Sequence, residues 1–182
     1  PICGGGEVIL TPDINDHNLD YYIGKNPNTI FGIPPLLEAI PTLKKSTDIS
    51  DLKMFASGGE RLEKSASLAA LDFFKSRGLN NIKISNGYGT GESLGLISTA
   101  VGTAAYNPDS VGRIPAGAHV MVLDSETGEE LDFGKTGMLY ATGKHILKRY
   151  YNRPELDLDK IITVHHRRYI KTGDLAYVTP SG

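Results

Sequence analysis

The residues of this chain best suited to chemistry lie in one run, Asn86-Gly87-Tyr88-Gly89-Thr90-Gly91-Glu92. Tyr88 offers an aromatic face on which a purine can stack. Asn86 carries both a donor and an acceptor, which suits an adenine edge. Glu92 offers a hard oxygen ligand of the kind that takes Mg2+ on a nucleotide's phosphates. The glycines let the backbone approach a ligand closely and leave amides available to it. A second turn of the same character is Gly58-Gly59-Glu60, and Thr172-Gly173-Asp174 is expected to put a carboxylate after a strand. There it can accept hydrogen bonds from both hydroxyls of a ribose. A dinucleotide fingerprint fits the first run poorly, because the turn feeds the strand-like, glycine-interrupted Ser93-Leu94-Gly95-Leu96-Ile97-Ser98-Thr99 instead of a helix. The phosphate-loop pattern Gly-x-x-x-x-Gly-Lys-Ser/Thr is absent from the sequence.

The elements that must position these residues alternate in the first half. Glu7-Val8-Ile9-Leu10 reads as a short buried strand, and Leu19, Tyr22 and Ile23 fall on one helix face. Thr29-Ile30-Phe31 is a second strand, and Pro34-Pro35 opens a short helix that Pro41 helps to end. Lys53-Met54-Phe55-Ala56 is a third strand. The longest helix follows, from about Leu62 to Arg77, with the stripe Ala66, Ala69, Ala70, Phe73 and Phe74 and a left-handed stop at Gly78. Ile82-Lys83-Ile84-Ser85 is a fourth strand. Strands separated by helices predict a doubly wound, mostly parallel α/β sheet, which places both glycine turns at the carboxyl ends of strands, where ligands bind. After about Tyr106 short alternating segments predict a small antiparallel β subdomain, a distorted barrel, with one helix from Pro154 to Ile162. The expected division is 1–106 and 107–182.

Composition bounds the partners. The chain has 182 residues, 40% hydrophobic and 22% charged, with a formal net charge of -2. That balance gives no electrostatic reason to expect nucleic acid or an anionic membrane. No apolar run approaches the roughly 18 residues of a transmembrane segment. The single cysteine, Cys3, excludes an internal disulfide and a cysteine-cluster metal site, which fits a reducing, cytoplasmic setting. The start at Pro1, without Met or a signal peptide, predicts a piece of something longer. His165-His166-Arg167-Arg168 reads as an exposed turn before the last strands, and His17 and His145 have no ligand partners at metal spacing.

Taken in order, these segments resemble the adenylate-forming superfamily of acyl-CoA synthetases, luciferases and peptide-synthetase adenylation domains. Thr29-Ile30-Phe31-Gly32-Ile33-Pro34 resembles the strand and proline before the acyl pocket. Leu52 to Glu60 resembles the Gly-Gly-Glu loop, and Asn86 to Glu92 the Asn-x-Tyr-Gly-x-Thr-Glu motif. Val111-Gly112-Arg113-Ile114-Pro115 resembles Val-Gly-x-Pro. Gly137 to Glu155 resembles the Gly-Glu-Leu stretch that ends in Tyr-x-x-x-Pro-Glu. Tyr169 to Leu175 resembles Tyr-Arg-Thr-Gly-Asp-Leu.

The resemblance implies an ATP-dependent acid–thiol ligase of fatty-acid metabolism that turns a small-molecule carboxylic acid into an acyl-adenylate and passes it to coenzyme A. Adenine would lie between Gly58, Gly59 and Glu60 on one side and Tyr88 on the other. Asn86 would meet its amino group, and Gly87, Gly89, Thr90 and Gly91 would complete the turn. Asp174 would bind the ribose, Glu92 would hold Mg2+, and Ile33 and Pro34 would line the acid pocket. No residue of this chain is expected to be catalytic. The family's phosphate loop would lie upstream, and its lysine-bearing domain downstream, so the chain alone is expected to be inactive. Gly91 departs from the motif's Thr, Met138 from the Glu of Gly-Glu-Leu, and Arg149 from the Gly before Tyr150. Two alternatives stay open: a degenerate, non-catalytic nucleotide-binding module, and an amino-acid-activating domain, on which Asp13-Ile14-Asn15-Asp16 is ambiguous.

Overall fold

The computed structural model describes residues 4–11, 18–93, 97–99, 107 and 109–180. The elements are α1 (Leu19–Ile23), β1 (Thr29–Gly32), α2 (Pro34–Ala39), β2 (Met54–Ser57), α3 (Lys64–Ser76), β3 (Lys83–Tyr88), β4 (Ser98–Thr99), β5 (Ala118–Leu123), β6 (Gly137–Gly143), α4 (Pro154–Lys160), β7 (Ile161–Val164) and β8 (Arg167–Ala176). They form two compact units. One takes residues 1–57 and 62–84, the other 58–61 and 85–182. Both glycine turns therefore belong with the β-rich unit, whereas the sequence places them with the helices. The boundary expected after Tyr106 is not where this division falls.

In the first unit β1 and β2 pair in parallel, with Thr29 opposite Met54 and Gly32 opposite Ser57. Lys83 opens β3 beside β2 by donating its N–H to the Lys53 carbonyl at 3.0 Å. Helix α2 starts with Pro34 at its first position, where no intrahelical N–H is needed. Leu37, Ile40, Phe55, Ala70 and Phe74 are fully buried and form the core. Along α3 the buried positions are Ser67, Ala70 and Phe74, while Ala69 is exposed. The stripe is therefore rotated from the one expected. Residues 67, 70 and 74 follow i, i+3 and i+7, and position 69 lies about 100° away from 70. A serine is tolerated in this stripe because its hydroxyl donates to the Glu63 carbonyl at 3.2 Å. Gly78 ends the helix as expected, at φ +85°.

The strand expected at Glu7–Leu10 does not form. Val8, Ile9 and Leu10 are exposed, Leu10 at 85%. A strand exists only where a neighbour takes its backbone hydrogen bonds, and none of the described residues pairs with this segment. Asp13–Asp16, His17 and Cys3 lie outside the described residues.

In the second unit β3 continues through Asn86 to Tyr88 and pairs antiparallel with β4, Gly87 opposite Thr99. A separate antiparallel sheet follows in the order β5-β6-β8-β7. The Asp124 carboxylate accepts the Glu126 and Thr127 amides at 2.8 Å each, which shapes the turn after β5 and holds its pKa below the usual value. The tripeptide Gly134-Lys135-Thr136 lies in an exposed turn that leads into β6 and not into a helix, so it builds no anion site. Helix α4 stops at Lys160, short of Ile162, because Ile161 and Ile162 pair with Ile170 and Tyr169 as β7. His165 and His166 are the two-residue turn between β7 and β8. Both have positive φ, 47° and 62°, as a tight hairpin of matching twist requires, and both are exposed. Among the described residues no helix is long and apolar enough to cross a membrane.

Phe74 is fully buried against this helix–sheet core. Phe74→Ala is expected to destabilise the chain by about 3–5 kcal/mol in urea unfolding. Ala69→Ser is expected to change it by less than about 0.5 kcal/mol. Equal losses would contradict the rotated stripe.

Candidate functional site

The site grows from an irregularity in β8. Met138 faces Leu175 and Tyr140 faces Lys171, so Leu139 stands opposite three residues, Thr172, Gly173 and Asp174. The extra residues bulge, and Gly173 takes φ +91°, which only glycine adopts without strain. Thr172 fastens the bulge. Its hydroxyl donates to the Leu139 carbonyl at 2.9 Å and accepts the Asp174 N–H at 3.1 Å. The sequence reading put Asp174 after a strand; it lies inside one. The bulge is what re-aims its carboxylate out of the regular alternation.

That carboxylate meets Tyr88, 86 residues earlier. The Tyr88 hydroxyl donates to Asp174 Oδ2 at 2.5 Å. Tyr88 packs against the Ile97–Ala141–Ile170 cluster. Burial first, and then the bond to Asp174, push its phenol up to about 12. Two residues back on β3, Asn86 is 5% exposed, and its buried Oδ1 finds no donor among the described residues. An orphaned acceptor of this kind costs about 1–3 kcal/mol unless a ligand satisfies it. Gly58 sits beside the same strand: a Cβ there would lie 3.9 Å from the Gly87 carbonyl. Gly59 has φ +86°, and Glu60 is exposed.

Beyond Tyr88, residues Gly91–Ser93 form a single 3-10 turn. The fully buried Ser93 hydroxyl accepts the Thr90 N–H at 2.9 Å and donates to the Thr90 carbonyl at 3.0 Å. Glu92 is gripped twice. The Leu147 N–H reaches its carbonyl at 2.7 Å, and the Tyr150 hydroxyl reaches Oε1, also at 2.7 Å. The Tyr150 bond, first among several, holds the Glu92 carboxyl below the usual range, so it stays ionised near neutral pH. Among the described residues no group of three or more His, Cys, Asp or Glu side chains could hold a metal by itself. A lone carboxylate still suits Mg2+, which keeps several waters and leans on substrate phosphates.

The structure thus gathers Gly58, Gly59, Glu60, Asn86 to Glu92 and Asp174 into one unit. Ile33 and Pro34 belong to the other unit. There Ile33 caps α2 and is 48% exposed, and Pro34 is buried at the first helical position. Two contributors, Tyr150 and Thr172, carry no signal of their roles in the sequence, although a glycine inside a strand pattern is itself a bulge signal.

A family model described as AMP-binding enzyme matches residues 1–151. The chain belongs to that family, and its fold is that of adenylate-forming enzymes. It is 33% identical over 147 residues to a 4-coumarate–CoA ligase-like protein of Arabidopsis thaliana, covering 79% of this chain and 25% of the relative. It is 30% identical to a nonribosomal peptide synthetase of Aspergillus fumigatus, covering 81% of this chain and 6% of that one. A long-chain-fatty-acid–CoA ligase structure from Archaeoglobus fulgidus shares the fold, with a TM-score of 0.80 at 21% identity over 92% of this chain and 35% of that one. The chain therefore spans about a quarter of the length of the CoA-ligase-like relative and less of the peptide synthetase.

The Tyr88 phenol stays protonated in the folded state through the range where an unfolded tyrosine, near 10, loses its proton. Its contribution to stability is therefore present below pH 10 and is lost as pH rises toward about 12. In an ultraviolet titration of the folded chain, Tyr88→Phe is expected to remove one phenol that ionises late. Loss of one that ionises near 10 would mean that the Asp174 bond does not persist in solution.

Proposed function

We propose that this chain carries the adenosine end of the nucleotide site of an AMP-forming acid–thiol ligase. In that enzyme ATP and a carboxylic acid give acyl-adenylate and pyrophosphate, and coenzyme A then takes the acyl group. The observation that carries the reading is the Tyr88–Asp174 hydrogen bond. It joins the aromatic residue of one motif to the carboxylate of another, 86 residues apart in sequence.

In this reading a purine lies between the Gly58-Gly59-Glu60 backbone and the Tyr88 ring, and its exocyclic amine donates to the orphaned Asn86 Oδ1. The backbone of Gly87, Gly89, Thr90 and Gly91 lines the turn, with the Thr90 N–H already taken by Ser93. Asp174 accepts the ribose hydroxyls through the lone pairs that Tyr88 leaves to it. Glu92 takes Mg2+, which would offset charge on the phosphates. These contacts orient and bind; they do not move a proton or break a bond. The family's phosphate loop and lysine have no counterpart among these residues, so the 182-residue chain by itself is proposed to bind nucleotide weakly and not to form adenylate. Ile33 and Pro34 are proposed for the acid pocket, and the cytoplasm as the setting.

Gly91 bears on the degenerate-module alternative. Its φ lies outside the left-handed region, and a Cβ there would meet nothing within 4 Å, so threonine fits without strain. Ser93 cannot stand in for that hydroxyl, because its own is committed inside the turn. Thr90 remains. The amino-acid-activating alternative draws on the 30% identity to a peptide synthetase. Pyrophosphate exchange by the full-length protein with a panel of acids and amino acids separates it from the ligase.

The direct test is ligand-observed NMR titration with AMP and ATP. Binding near the millimolar range is expected. Asp174→Ala is expected to weaken it by on the order of tenfold, the worth of hydrogen bonds to a charged group. Gly91→Thr is expected to tighten ATP more than AMP. Absence of binding by the wild-type chain, or binding indifferent to Asp174, would contradict the assignment.

A further inference from the structure

We propose that Tyr150 is a positioning residue for the metal site: its hydroxyl, with the Leu147 amide, holds Glu92 in the pose that receives Mg2+ on the nucleotide. This rests on the reading of Glu92 as the metal ligand.

Four residues joined by three hydrogen bonds make the device. Glu92 is held at its backbone carbonyl by Leu147 and at Oε1 by Tyr150, 58 residues away, each at 2.7 Å. A side chain fixed at both its root and its tip has lost most of its rotamer freedom before any metal arrives. The donor is itself anchored. The Tyr150 ring packs against the Ile97–Ala141–Ile170 cluster, and its backbone N–H donates to Asp157 Oδ1 on α4 at 2.8 Å. Tyr150 therefore transmits the position of α4 and of the hydrophobic cluster to one carboxylate oxygen. A phenol is suited to the task because it donates without adding a charge that would compete with the cation. The one bond it takes leaves the carboxylate with further lone pairs for a hard ion. Groups that orient a metal's ligands commonly change affinity by ten- to a hundredfold.

The test compares wild type, Glu92→Gln and Tyr150→Phe by the Mg2+ concentration needed for half-maximal ATP binding, and by AMP binding in chelator. Tyr150→Phe keeps the ring in the cluster and deletes only the donor. It is expected to raise the Mg2+ requirement on the order of tenfold, and to leave AMP binding and the melting temperature close to wild type. Mn2+ titration followed by the relaxation of bound ATP nuclei, as a second readout, should show the metal entering the ternary complex at higher Mn2+ concentration in Tyr150→Phe than in wild type.

If Glu92→Gln leaves the Mg2+ requirement unchanged, the metal role of Glu92 fails and the inference with it. If Glu92→Gln raises the requirement and Tyr150→Phe does not, the inference alone is overturned. If Tyr150→Phe weakens metal-free AMP binding equally, Tyr150 is merely structural and the inference is again overturned. Should Tyr150→Phe fold poorly, Asp157→Ala loosens the Tyr150 backbone without touching Glu92. It is expected to shift the Mg2+ requirement in the same direction, and no shift would overturn the proposal.

Discussion

A hydrogen bond between a half-buried phenol and a carboxylate, Tyr88 to Asp174, is the constraint around which the second unit is arranged. For it to form, a strand that would otherwise alternate must turn one side chain aside. The bulge at Thr172–Asp174 does this. Gly173 supplies the backbone angle, and the Thr172 hydroxyl replaces a ladder hydrogen bond that the bulge removes. The cost of the irregularity is thus met locally, which is how bulges persist beside functional residues.

The same unit keeps a second unfavourable feature. The buried Oδ1 of Asn86 lies on a strand whose neighbours offer it no donor among the described residues. Buried polar atoms are normally paired, and the proposed nucleotide would supply the donor that Asn86 lacks. Glu92 shows the opposite arrangement, with both its carbonyl and its carboxylate engaged. In the proposed reading, an acceptor left unpaired for the nucleotide and a carboxylate held in place for Mg2+ follow one logic. Binding energy is gained where the ligand completes a bond, and ordering cost is avoided where a side chain is already in position.

Much of this was legible in the residues. The parallel strands, the long helix with its Gly78 stop, and the antiparallel strands after residue 110 follow from periodicity and turn chemistry, because apolar spacing reports which face is buried. The glycine turns and the order of the motifs identified the family before any geometry. Other features were not legible. Ala69 and Ala70 look alike in a helical pattern, and only the packing of α3 decides that Ala70 faces inward. Glu7–Leu10 has a strand's composition without a partner strand among the described residues. Ile161 and Ile162 continue the α4 pattern in sequence, yet pair as β7, since cross-strand packing outweighs a weak helical preference.

The sequence by itself therefore determined the family and most of the elements, and singled out Asn86, Tyr88, Glu92 and Asp174 as candidates, because motif residues and hydrophobic periods are local properties of a chain. Only the tertiary structure decided that Asp174 sits within a strand on a bulge, that its partner is Tyr88, and that Tyr150 grips Glu92. Those are contacts between residues 58 and 86 positions apart. Their geometry depends on strand register and on which side chains a core excludes from water, and neither is written in any short stretch of sequence.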